Sequence, residues 1–114
     1  MSVPVRTHKT KPILVTNGAV EVPVDPNYPH TFVSVYPTFA NGEPRTFLDG
    51  ISGEFKVEYL TATCPHYQQG KEGDITAKTP KDVSVSANLL KVKVTPSGVS
   101  GATHFVVAIS QNIT

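Results

Sequence analysis

Apolar residues along this chain recur every second position in short runs, and nowhere with the three-to-four spacing of an amphipathic helix, so the pattern predicts strands. The sharpest local signal lies between Lys11 and Val24, where two apolar runs flank Asn17-Gly18. An Asn-Gly pair favours the two-residue type I′ hairpin loop because both central positions need positive φ. In that register Thr16 faces Ala19, Val15 faces Val20, Leu14 faces Glu21 and Ile13 faces Val22. Ile13, Val15, Val20 and Val22 then share one face, and Pro12 and Pro23 end the ladder because neither has an N–H to donate.

Further strands follow from the same period. His30 to Tyr36 places Val33 and Val35 on one side and Phe32 and Tyr36 on the other, a strand covered on both faces. Gly53 to Leu60 alternates Phe55, Val57 and Tyr59 with Glu54, Lys56 and Glu58, a half-buried strand with a charged outer face. Asp82 to Ala87 alternates through Val83 and Val85, and Leu90, Val92 and Val94 alternate with Lys91 and Lys93. These are either two strands or one bent at Asn88. Thr103 to Ser110 is apolar enough to be central in its sheet, with Phe105, Val107 and Ile109 on one side. Seven to eight such strands, punctuated by ten prolines and eight glycines, predict an all-β single domain. The expected architecture is an antiparallel β-sandwich or jelly roll spanning residues 13–114. Two connections are longer than hairpins need, Pro37 to Ser52 and Thr61 to Lys81, and such loops commonly carry contacts.

Residues 1–12 read as an extended N-terminal arm. Val3-Pro4-Val5 disfavours helix, and Arg6, His8, Lys9 and Lys11 occur with no acidic residue. Two readings stand: a terminus solvated by its own charges, or an arm added as a strand to a neighbouring subunit, anchored by Val3 and Val5 with Arg6, Lys9 and Lys11 meeting acidic side chains.

Composition narrows the function more than it defines it. A chain of 114 residues buries about 60 to 70% of its unfolded surface, enough to fold without staples. The single cysteine, Cys64, cannot close an intrachain disulfide. The N-terminus lacks the basic and apolar regions of a signal peptide, and no run is long enough for a membrane span, so synthesis in the cytoplasm is expected. A formal charge of +1 supplies no global field for nucleic acid or an anionic bilayer.

No residue cluster points to catalysis. Cys64-Pro65-His66 holds two metal-type ligands without the second pair that zinc requires, and neither an activating base nor a phosphate loop is present. No cofactor, metal or enzymatic activity is expected. Among the loop aromatics Tyr28, His30, Tyr36, Phe39, Phe47 and Tyr67, most are expected to cap the core. Phe39 and Phe47, with Arg45 between them, have the composition of a protein-interface anchor.

The segments Gly53-Glu54-Phe55-Lys56-Val57-Glu58-Tyr59, Ala87 to Val94 and Gly101-Ala102-Thr103-His104-Phe105-Val106-Val107, with the long loop between the first two, resemble small β-sandwich virion proteins of tailed bacteriophages, including capsid decoration or cement proteins. The resemblance spans a little over half the chain and rests on strand rhythm and turn placement. It implies a structural protein made in the bacterial host cytoplasm and added as a homo-oligomer to the capsid surface of the virion, where it would bridge major capsid protein subunits. The alternative is a carbohydrate- or receptor-binding module of a tail fibre or secreted protein.

Overall fold

The computed structural model describes residues 5–70 and 74–113, and all regular structure among them is β-strand. The strands are β1 (Val5–Lys9), β2 (Ile13–Leu14), β3 (Val20–Pro23), β4 (His30–Thr38), β5 (Ser52–Thr61), β6 (Gln68–Gln69), β7 (Ile75–Thr76), β8 (Asp82–Val85), β9 (Leu89–Ser100) and β10 (His104–Asn112). They build two antiparallel sheets, one ordered β1-β10-β4-β8 with β2 also on β10, the other β3-β9-β5-β6 with β7 also on β5. Because β1 and β2 share one edge of β10, and β6 and β7 share one edge of β5, the ten strands occupy eight positions. The first position pairs with the last, the second with the seventh, the third with the sixth and the fourth with the fifth. That nested pairing, folded across two layers, is the jelly roll. The strand count of seven to eight therefore describes the positions, two of which are broken.

The break between β1 and β2 has a local cause. Pro12 cannot donate, and at Thr10 the side-chain oxygen accepts from Val107 N (3.1 Å) while Thr10 N donates to Val107 O (3.0 Å). The arm expected over residues 1–12 is thus, from Val5 to Lys9, an edge strand on this chain's own β10, and Val3 lies outside the described residues.

The Asn17-Gly18 hairpin does not form. Ile13 and Leu14 pair with Phe105 and His104 in the first sheet, and Val20 to Pro23 pair with Val94 to Lys91 in the second. The turn closes earlier, with Asn17 N donating to Leu14 O (3.1 Å), and only Gly18 takes positive φ (83°), which excludes type I′. The segment is a crossover between layers. Ile13, Val15, Val20 and Val22 still turn toward one core, but they reach it from opposite sheets. Packing of both strands into a shared core overrides the local turn preference.

That core is centred on Phe55 and Phe105, both fully buried, with ring centroids 5.1 Å apart and planes tilted 37°. Val33, Val35 and Val107 of the first sheet and Val57, Val92 and Val94 of the second surround them. Two bulges adjust the β5–β9 ladder. At the first, Gly53 has φ of +100°, and a Cβ there would stand 2.6 Å from Val99 Cα, so no other residue fits without shifting the backbone. At the second, Leu60 faces Lys91 and Thr61 faces Leu89, leaving Leu90 as the extra residue. Leu90 is consequently exposed and Leu89 is the buried one, which corrects the expected alternation of Leu90 with Val92 and Val94. Asp82 to Val94 resolves into two strands in different sheets, and β10 is central in the first, between β4 and the β1–β2 edge.

At one end of the sandwich lie the loops following β2, β4, β7 and β9, linked by Val15 N to Thr103 O (2.9 Å) and Ala77 N to Gly53 O (3.0 Å). The other end holds the start of β1, the end of β10 and a buried polar knot. Gln111, fully buried, accepts through Oε1 from Arg6 Nη1 (3.0 Å) and Asp25 N (3.0 Å), and donates through Nε2 to Asp25 O (2.9 Å) and Thr31 Oγ1 (3.2 Å). Every polar atom of its amide group is used, which makes its burial tolerable.

Candidate interaction surface

The two broad sides of the sandwich differ in chemistry. On the second sheet the outward residues are charged and matched across strands, Glu21 opposite Lys93 and Lys93 opposite Glu58, with Lys56 Nζ 3.9 Å from Glu58 Oε2. Tyr67 reaches over this side, donating its hydroxyl to Glu21 Oε1, while Lys93 Nζ stands 5.1 Å from the centre of its ring. The hydrogen bond to the carboxylate pushes the Tyr67 phenol up to about 12, and the same bond, helped by Lys91 and Lys93, holds Glu21 below its ordinary value. This side is satisfied in large part by its own charges.

On the first sheet the outward positions read Thr7 and Lys9 on β1, Ala108 and Ser110 on β10, Phe32, Ser34 and Tyr36 on β4, and Asp82 on β8. Small residues occupy the central strand, so the side chains of β1 and β4 rise on either side of it and leave a concavity of about 350 Å³ lined by Thr7, Lys9, Phe32, Ser34, Asp82 and Ala108. Phe32 is 40% exposed within it. Ser34 donates its hydroxyl to Asp82 Oδ1, so the one carboxylate there is engaged. The concavity continues past Lys9 and Ser34 to Tyr36 and Pro80, and from there to Pro37, Pro44, Arg45 and Leu48. One groove thus follows β4 along its outer side into the loop between β4 and β5.

That loop is held in shape by its backbone. Gly42 N donates to Phe39 O (2.9 Å), Phe39 N to Glu43 O (2.9 Å), Glu43 N to Asn41 Oδ1 (3.0 Å) and Arg45 N back to Pro37 O (3.2 Å). Arg45 Cζ lies 4.9 Å from the Phe39 ring centroid, a cation–π contact. Phe39 and Phe47 are 41% and 78% exposed, so neither caps the core as expected of most loop aromatics.

The residues singled out from sequence are therefore only partly united. Lys9 and Arg45 sit at different points along one groove, and Phe39 stacks on Arg45. Val5 is exposed on β1, Lys11 is exposed beyond its end, and Arg6 turns inward to Gln111. Tyr36, named among the loop aromatics, lies in the groove, whereas Phe32, Ser34, Pro80 and Ala108 were not singled out as site residues from the sequence. Their signal was an aromatic on the far side of a valine-lined strand, opposite a strand of small residues. Elsewhere Cys64 Sγ lies 3.6 Å from His66 O, and no group of three metal-type side chains occurs among the described residues.

Over residues 1–114 the chain matches the family described as Domain of unknown function (DUF7265). The chain belongs to this family. No curated protein matches this DUF7265 domain. A solved structure similar to it comes from the work "Bacillus endospore appendages form a novel family of disulfide-linked pili", at 7% identity and a TM-score of 0.41, covering 100% of this chain and 93% of that one.

Proposed function

We propose that this protein is a non-enzymatic virion structural protein that docks the outer side of its first sheet on the outer surface of a phage capsid, bridging major capsid protein subunits as a homo-oligomer. The observation that carries the reading is the asymmetry of the two sides: one laced with paired charges, the other an open groove with Phe32 and Tyr36 exposed or half-exposed along it. Removing an apolar, grooved side from water is favourable, whereas covering the charged side would strip solvent from Glu21, Lys93 and Glu58. The molecule measures 39 × 35 × 21 Å, flat as two stacked sheets require, and a broad side has room for the roughly 800 Å² per partner of a standard interface. Jelly rolls serve in capsid and lectin domains alike, so the fold admits the role without selecting it. The sequence resemblance supplies the choice of capsid. Stabilisation would be thermodynamic, since many equivalent contacts favour the assembled shell over states that lack the binding surface.

Co-sedimentation with undecorated phage capsids tests this. Saturable binding is expected, abolished by Phe32→Glu with Ala108→Glu and retained by Lys56→Glu on the opposite side. Wild-type protein that stays in the supernatant, or equal binding by both variants, would overturn the reading. A second reading, a carbohydrate- or receptor-binding module, draws on Phe32 and Tyr36 sharing one side, since aromatic rings on a sheet can stack on sugars; glycan-array binding lost in Phe32→Ala would favour it.

A further inference from the structure

At the loop end of the groove, Tyr36, Pro37, Pro44, Leu48 and Pro80 form an apolar pocket of about 260 Å³ with Arg45 in its wall. Arg45 Nε is buried and has no hydrogen-bond partner, and among the described residues Arg45 forms no ion pair. Thr38 Oγ1, a few residues away and in a side chain only 1% exposed, is likewise unpartnered. Two of the three such orphaned atoms among the described residues thus lie in the stretch from Thr38 to Arg45. Buried polar groups are nearly always paired, and an arginine donor left open is a larger deficit than a neutral one. The cation is also held in place for a partner. Its backbone is tied to Pro37 O and its guanidinium lies over Phe39, so little side-chain freedom remains to be lost on binding.

From this geometry we infer that the pocket is a binding site for a carboxylate side chain of the protein partner, an Asp or Glu carried next to an apolar residue. The carboxylate pairs with the guanidinium of the part-exposed Arg45 in the pocket wall, and the apolar neighbour fills the space between the prolines and Leu48. A planar fork of donors suits a carboxylate, whereas an amide presents one acceptor and a competing NH₂. The inference rests on the proposed protein-docking role and names the chemistry at one end of that surface.

Its test needs no capsid. The full chain, labelled with ¹⁵N, is titrated with the peptide N-acetyl-Leu-Glu-amide and separately with N-acetyl-Leu-Gln-amide, following the Arg45 Nε–H resonance. With the Glu peptide a saturable shift is expected, and with the Gln peptide binding weaker by about tenfold or more. Arg45→Lys, which keeps the charge and loses the fork, should lose the perturbation at Leu48 and Tyr36 amides while the rest of the spectrum stays in place. An Arg45 resonance unmoved by the Glu peptide, or moved equally by both peptides, would overturn the inference. Capsid binding is read separately: wild-type protein that ignores capsids sinks the decoration role and leaves the peptide titration to judge the pocket.

Discussion

Replacing Gln111 with leucine removes the polar hub that joins β1, the turn after β3 and β4. Thr31 Oγ1, fully buried, loses its donor, which costs about 1 to 2 kcal/mol because water cannot replace it. The Asp25 N–H and C=O are half-buried and recover part of their bonding from solvent, for a further loss of about 1 to 2 kcal/mol. Arg6 loses an acceptor at the edge, about 0.5 to 1 kcal/mol, and the leucine side chain returns about 1 kcal/mol through apolar burial. Gln111→Leu should therefore destabilise by about 2 to 4 kcal/mol, or about 8 to 16 °C in Tm for a domain of this length. Arg6→Ala, removing a single partly exposed bond, should cost about 1 kcal/mol. Urea and thermal unfolding followed by circular dichroism give both numbers. Hydrogen exchange should show β1 and the Asp25 turn losing protection before β5 or β9. A Gln111→Leu variant within about 1 kcal/mol of wild type would refute the hub, as would Arg6→Ala costing as much as Gln111→Leu.

Other expectations are simpler to state. Tyr67, whose phenol is raised to about 12 by Glu21, keeps its proton in the folded state above the ordinary phenol value; the stabilisation from this bond is lost at acid pH where Glu21 protonates, is present from there up to about pH 10 and fades as pH rises toward 12, so absorbance at 295 nm should show a late tyrosine step that is absent in Tyr67→Phe and shifted earlier in Glu21→Gln. Gly53→Ala should cost about 3 kcal/mol or more, because positive φ and a backbone clash coincide, whereas Gly18→Ala, with open space around it, should cost about 1 to 2 kcal/mol, both read by urea unfolding. Phe105→Ala should cost about 3 to 5 kcal/mol in the same assay and Phe47→Ala less than about 0.5, since one ring is fully buried and the other stands in solvent.

Period-two alternation was enough to find β4, β5, β8, β9 and β10, because each has a side that must enter the core. It could not say which sheet each strand joins. Ile13, Val15, Val20 and Val22 turn to the core whether their strands form a hairpin or sit in facing layers, so the pattern is the same for both and the Asn-Gly signal tipped the reading toward the local pairing. Leu90 was misplaced for a related reason: a one-residue bulge leaves no compositional mark, and Leu89 and Leu90 are equally apolar. At the candidate site, Arg45 with Phe39 was legible as an aromatic beside a cation. The groove was not, because it depends on Ala108 and Ser110 lying between Phe32 and Thr7, three stretches brought together only by pairing the first and last strands.

That same pairing sets how the molecule would carry load. Val5 lies opposite Asn112, so tension applied between the two residues pulls across the β1–β10 ladder, along its hydrogen bonds, and breaks them one pair after another like a zipper. Of the five residues in β1 only Arg6 is even half-buried, and the strand should peel at low force, lifting Arg6 off Gln111 while β10 stays held by β2 and β4. A pull delivered through the broad side of the first sheet is shared by several strands at once. The jelly roll is thus mechanically soft along its ends and stiff through its face, and an attachment meant to last would use the face.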